Sequence, residues 1–160
     1  MDIGLTPDPP RDAKYMFTTG TLPPDQLDQV PMTPIAVFVD TKPTEPSFFT
    51  SHKTLSRDHY LDARERAGLG RDYSARQDVI LWTPKGEVME ASISNVALWR
   101  DDHWVTPSSD YGGLSGVMKR WLVEQGHWHE GKIMKDSLQD GEWILLSNGL
   151  KGCYVGKVVT

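Results

Sequence analysis

Residues 78–106 constrain the fold more than any other part of this chain. Asp78-Val-Ile-Leu-Trp-Thr83 is a β-branched and aromatic run, followed by turn chemistry at Pro84-Lys85-Gly86. Glu87 to Ser94 then alternates as a returning strand. Asn95-Val-Ala-Leu-Trp99 is a further strand, and Asp101-Asp102 turns it into His103-Trp-Val-Thr106. Short strands joined by tight turns predict an antiparallel meander over 78–106.

The flanking segments add strands and two helices. Ile35-Ala-Val-Phe-Val39 reads as a strand. A helix is predicted from Ser56, which can cap it. Tyr60, Ala63 and Ala67 share one face of that helix, and Gly68 ends it. The glycine-rich Tyr111-Gly-Gly-Leu-Ser-Gly116 opens a second helix, with Val117, Trp121 and Leu122 as its apolar face and Gly126 as its stop. His127 to Met134, Glu142 to Ser147 and Cys153 to Val159 are the remaining strands. The fold class is therefore α+β, a mostly antiparallel sheet with two helices. Residues 1–34, rich in Pro, Asp and Thr, read as an extended or poorly ordered arm or as a lid over the domain formed by 35–160.

Composition excludes several function classes. A chain of 160 residues can bury one core without staples. Its net charge of -5 gives no electrostatic case for nucleic acid. No apolar run approaches the ~18 residues that a membrane-spanning helix needs, and the N-terminus has no basic-then-apolar signal pattern. One cysteine, Cys153, allows neither an internal disulfide nor a cysteine-cluster metal site. The expected setting is the cytosol.

A few residues are candidates for chemistry, each with a plainer reading beside it. Lys53 follows an apolar pair and precedes a helix start, so it is either a solvated lysine or a desolvated amine able to form a Schiff base. Gly112 to Gly116 before a helix is either a plain loop with a Ser115 cap or a phosphate cradle of backbone N–H groups. Glu90, in an otherwise neutral strand, is either an outward residue or a buried acid paired with a cation such as a protonated ring nitrogen. His127 and His129 alternate on one side of a strand, but no third metal ligand is evident, and surface histidines around Trp128 are the plainer reading. His52 lies beside Lys53 and could tune it. Six tryptophans fit a well-filled core and an interface patch.

Taken in order, these signals resemble a known family. His52-Lys53-Thr-Leu-Ser-Arg57 with its following helix is similar to the lysine segment of class IV (fold-type IV) aminotransferases and aminodeoxychorismate lyases. Gly86-Glu-Val-Met-Glu90-Ala-Ser-Ile-Ser-Asn95-Val resembles the family's G-x-V-x-E-x-x-x-x-N-[LV] strand pair. Thr106-Pro107 followed by Gly113-Leu114-Ser-Gly116-Val117-Met118-Lys119 resembles T-P and G-x-L-x-G-[IV]-x-R. Gly141 to Gly149 resembles a D-E-[VI]-hydrophobic-S-N/G segment.

The resemblance implies pyridoxal 5'-phosphate as cofactor and assigns roles by position. Lys53 matches the Schiff-base lysine that also moves the substrate's α-proton. Glu90 matches the acid that pairs with the pyridinium nitrogen. Leu114 matches the residue packed on the ring. Val117 and Met118 match the pair whose backbone amides hold the phosphate. Ser147 and Gly149 match a second phosphate-side loop, and Arg57 sits near the position that contacts the ring hydroxyl. The resemblance further implies that the sheet forms a pseudo-barrel with two or three helices, like the family's large domain, and it implies a homodimer and an amino-acid-like substrate. Lys53-Thr-Leu-Ser-Arg57 favours a lyase, since it resembles the K-x-L-N-R of aminodeoxychorismate lyases.

Three departures accompany the match. Relatives carry a smaller N-terminal domain, which here corresponds to only residues 1–34. Lys119 stands where arginine is usual, and Gly149 where many relatives have a hydroxyl residue. They open an alternative: a paralogue without the N-terminal domain that binds a small molecule, serves a full-length paralogue as a subunit, or catalyses without cofactor. An excised domain of a longer enzyme is a third reading.

Overall fold

A computed structural model describes residues 19–46, 58–70, 77–108, 116–149 and 152–160. The strands are β1 (Ile35–Val39), β2 (Gln77–Trp82), β3 (Val88–Ala91), β4 (Asn95–Arg100), β5 (His103–Pro107), β6 (Trp128–Gly131), β7 (Trp143–Asn148) and β8 (Gly152–Val159). Helix α1 spans Asp58–Arg66 and α2 spans Val117–Glu124, with short 3-10 segments at Thr19–Thr21, Pro24–Gln29 and Lys135–Ser137.

All eight strands form one sheet in the order β3-β2-β1-β8-β7-β4-β5-β6. Pairs β2–β3, β4–β5, β4–β7 and β7–β8 are antiparallel, whereas β1–β2, β1–β8 and β5–β6 are parallel. The α+β class and the curled sheet agree with the sequence reading. The continuous meander does not: β3 lies on one edge, and β4 pairs with β7. The cause is the serine-rich corner between them. The Ala91 amide donates to Ser94 O at 2.9 Å and the Ser92 amide to Val79 O at 3.0 Å. The chain thereby leaves the β2 ladder, and Asn95 restarts opposite Ser147.

The sheet curls until its two edges meet. The Val88 amide donates to Ile133 O and the Lys135 amide to Gly86 O, each at 2.8 Å, around an antiparallel bridge between Glu87 and Met134. Strand alternation then sorts side chains into layers. Ile144, Leu146, Val96, Leu98, Val37, Ile80 and Val158 fill one cluster. Leu145, Ala97, Cys153 and Val155 point to the other face, under Leu122 of α2 and Leu27. Tyr60 and Ala63 of α1 cover Val79 and Leu81.

Residues 19–30 belong to that second layer. Leu27 and Val30 are buried, and the indole N–H groups of Trp104 and Trp128 donate to Leu22 O (2.7 Å) and Gly20 O (3.1 Å). On α2 the buried stripe is one position round from the expected face: Val117 is 70% exposed, while Lys119 and Leu122 are buried.

Cys153 lies in this layer, and burial pushes its thiol up to about 12. Because the thiolate is the reacting species, a disulfide reagent at pH 8 is expected to label Cys153 only on unfolding. A thiol assay in buffer and in urea should differ by at least about 10³-fold in rate, since the unfolded fraction is that small.

Candidate active site

Strand β3 pairs with β2 in a register that sets Glu90 opposite Leu81, with an irregularity between Leu81 and Trp82. This turns Glu90 toward the α1 side, where Leu81 packs. Glu90 is 3% exposed, and the Tyr60 hydroxyl donates to its Oε1. A carboxylate so deeply buried is tolerated only with polar partners.

Lys119 of α2 is the buried cation nearby. It is 2% exposed, and its Nζ donates to Pro107 O at 2.6 Å. Burial holds its ammonium below the usual lysine value, opposed by the negative charges of Glu130 and Glu90. The sequence marked Lys119 only as a departure from arginine.

Beyond the serine corner, a second group of polar atoms collects. Asn95 pairs across the ladder with Ser147, and Asn95 Oδ1 accepts the Gly116 amide at 3.1 Å. Gly116 is the N-cap residue of α2 and makes no side-chain cap bond, and the Ser115 of the sequence reading lies outside the described residues. A Cβ at Gly116 would lie 2.7 Å from Asn95 Oδ1, so only glycine allows this approach. The amides of Val117 and Met118 belong to the first helical turn and have no acceptor within the helix. Ser147 is 1% exposed, and its Oγ has no hydrogen-bond partner among the described residues. Past the strand end, a Cβ at Gly149 would meet nothing within 4 Å among the described residues. A buried orphan hydroxyl, joined through Asn95 to a helix N-terminus without a side-chain cap, is the kind of donor set that an anion requires.

The residues present therefore fit a cofactor with a phosphate at one end and a protonated ring nitrogen at the other. Ser147, Val117, Met118 and Gly149 suit the first, and Glu90 suits the second. Lys53, Arg57 and Leu114 lie outside the described residues.

A polar network missed by the sequence reading braces the corner between the two groups. The Asp78 carboxylate accepts from the Val79 amide (2.8 Å), the Ser92 amide (2.9 Å), Ser92 Oγ (2.6 Å) and Ser94 Oγ (3.2 Å). Arg64 donates to Ser92 Oγ at 2.9 Å and lies 3.9 Å from Asp78. Ser94 is hydrogen-bonded to Tyr154, whose hydroxyl accepts from Asn148 Nδ2 at 3.3 Å. Burial raises both the Asp78 carboxyl and the Tyr154 phenol above their ordinary values.

The two histidines do not act together. His127 precedes β6 and packs on Trp121 (5.9 Å), while His129 meets His103 (4.7 Å). Among the described residues no group of three His, Cys, Asp or Glu could hold a metal, and no helix is long and apolar enough to cross a membrane.

Comparison with known proteins agrees with this geometry. The family model for amino-transferase class IV matches residues 2–157, and the chain belongs to that family. It is 41% identical over 138 residues to the aminodeoxychorismate lyase of Saccharomyces cerevisiae, covering 78% of this chain and 37% of that protein. A Schizosaccharomyces pombe protein with the provisional name aminodeoxychorismate lyase is 37% identical over 147 residues, 89% of this chain and 62% of that one. The chain thus spans less than two thirds of either relative. Among solved structures, the branched-chain amino acid aminotransferase of Escherichia coli shares the fold at TM-score 0.60 and 19% identity, over 79% of this chain and 44% of that one.

Proposed function

We propose that this chain is the lysine-bearing part of a pyridoxal-phosphate enzyme, a lyase of the aminodeoxychorismate type, acting on an amino-acid-like substrate. One observation carries the reading: the orphan Ser147 hydroxyl lies across the ladder from Asn95, whose side chain receives the Gly116 amide at the start of α2, and the buried Glu90 lies one serine corner away. Pyridoxal phosphate, when bound, supplies an electron sink that stabilises negative charge at the substrate's α-carbon.

This chain's residues have separate tasks. Ser147 and the Val117 and Met118 amides bind the phosphate. Glu90 accepts the ring N–H and keeps the ring cationic. Lys53 attaches the cofactor and moves the α-proton, Leu114 packs on the ring and Arg57 meets its hydroxyl. The names of the two yeast relatives favour a lyase over a transaminase. The same reading carries a cytosolic homodimer.

The test is a titration with pyridoxal phosphate, followed by borohydride reduction and peptide mapping. A new absorption band and one modified lysine, Lys53, are expected. A wild-type protein that gives no band, or fixes the cofactor on another lysine, refutes the proposal.

A further inference from the structure

We propose that Tyr60 is a positioning residue for the cofactor, holding the Glu90 carboxylate in the orientation that receives the ring N–H; this rests on the functional reading above. Neither the sequence motifs nor the family match singles out Tyr60. The geometry does.

Tyr60 and Arg64 are four residues apart on α1 and thus lie on one face, about 6 Å apart along the axis. Their partners Glu90 and Ser92 are two residues apart, the first in β3 and the second just past its end. One face of the helix therefore spans the end of β3 and the corner after it: Tyr60 reaches Glu90 Oε1, and Arg64 reaches Ser92 Oγ at 2.9 Å. Ala63 lies between them, fully buried, over Val79 and Leu81. At the far end of α1, Arg66 grips Asp40 with two bonds of 2.7 Å, and that carboxylate raises the guanidinium's value further. Tied at three points along its length, α1 cannot slide against β3. The phenol is consequently a fixed donor rather than an adaptable one, and it determines how the Glu90 carboxylate is turned.

Tyr60→Phe removes one hydroxyl and keeps the ring packing. The probes are pyridoxal phosphate and its benzene analogue, in which a C–H replaces the ring nitrogen while aldehyde, hydroxyl and phosphate remain. In the wild type, the cofactor should bind more tightly than the analogue, because only the cofactor meets Glu90. In Tyr60→Phe that preference should fall about tenfold, the worth of one hydrogen bond to a charged group. Binding of the analogue should change by less than about twofold, and borohydride should still fix both aldehydes on Lys53. Tyr60→Leu also lacks a donor and suits the apolar surroundings, so it carries the same expectation if Tyr60→Phe does not fold.

Equal weakening of both probes would mean a merely structural role and overturn the assignment, as would an unchanged preference. A wild type that forms no lysine adduct fails the functional reading and this one together. A wild type that forms it, with a Tyr60→Phe variant that keeps its preference, fails this one alone.

Discussion

Replacing Asp78 with alanine is expected to cost about 3–5 kcal/mol of folding stability, the usual effect of stripping one side from a buried charged network. The Val79 amide and the Ser92 and Ser94 hydroxyls would lose this acceptor together, while the Ser92 amide keeps Val79 O. Each such orphan costs about 1–3 kcal/mol if nothing replaces the bond. The fully buried Arg64 would also lose a carboxylate 3.9 Å away. Asp78→Asn keeps one acceptor oxygen for the two amides and should cost less than alanine.

The pH dependence distinguishes lost charge from lost bonds. Burial raises the Asp78 carboxyl above its ordinary 3.8, against the opposing pull of Ser92, the Val79 amide and Arg64. The native state therefore binds this proton more tightly than the unfolded chain does. Its contribution is full below the ordinary value and is lost as pH rises through the native one. Asparagine cannot titrate, so the penalty of Asp78→Asn should be largest in acid and shrink toward neutrality. Urea denaturation of both proteins at several pH values measures it. A penalty that grows with pH would show that Asp78 is stabilised as an anion instead.

Why this network escaped the sequence reading follows from what local patterns encode. Strands announce themselves through β-branched runs, and β1, β4, β5 and β7 lie within a residue or two of their expected spans. Gly68 and Gly126 stop the helices because both adopt positive φ, which costs other residues strain. Partner choice leaves no such mark. The parallel pairs of β1 with β2 and β8 join segments dozens of residues apart, and nothing in Ile35-Ala-Val-Phe-Val39 says which neighbours it takes. Burial of charge is equally silent: Arg64 and Lys119 sit in helices whose polar residues ordinarily face water, and Asp78 opens a strand as many exposed residues do. Leu27 and Val30 are buried although Pro, Asp and Gln surround them.

The candidate site was more legible, for a different reason. Glu90, Asn95, Gly116 and Ser147 carry little meaning singly, but their order along the chain matched a family pattern. The geometry then supplied the link the pattern lacks: Asn95 faces Ser147 and receives Gly116. Tyr60 stayed hidden because its spacing with Ala63 and Ala67 already had a sufficient explanation as an apolar face.

Lys53→Ala is expected to abolish the borohydride-fixed adduct at every cofactor concentration that saturates the wild type. The cofactor should still bind the variant non-covalently, because Glu90, Ser147 and the start of α2 are untouched. Turnover should fall by at least about 10²–10⁴-fold, the share that a positioned general base supplies by itself. The competing outcome is specific. Lys119 is buried, and its burial lowers the ammonium's value, the property that makes an amine reactive. Its bond to Pro107 O, however, ties the ammonium to backbone at the end of β5. Lys119→Met should therefore leave the adduct on Lys53, and an adduct that survives Lys53→Ala but disappears in Lys119→Met would transfer the chemistry to the second lysine.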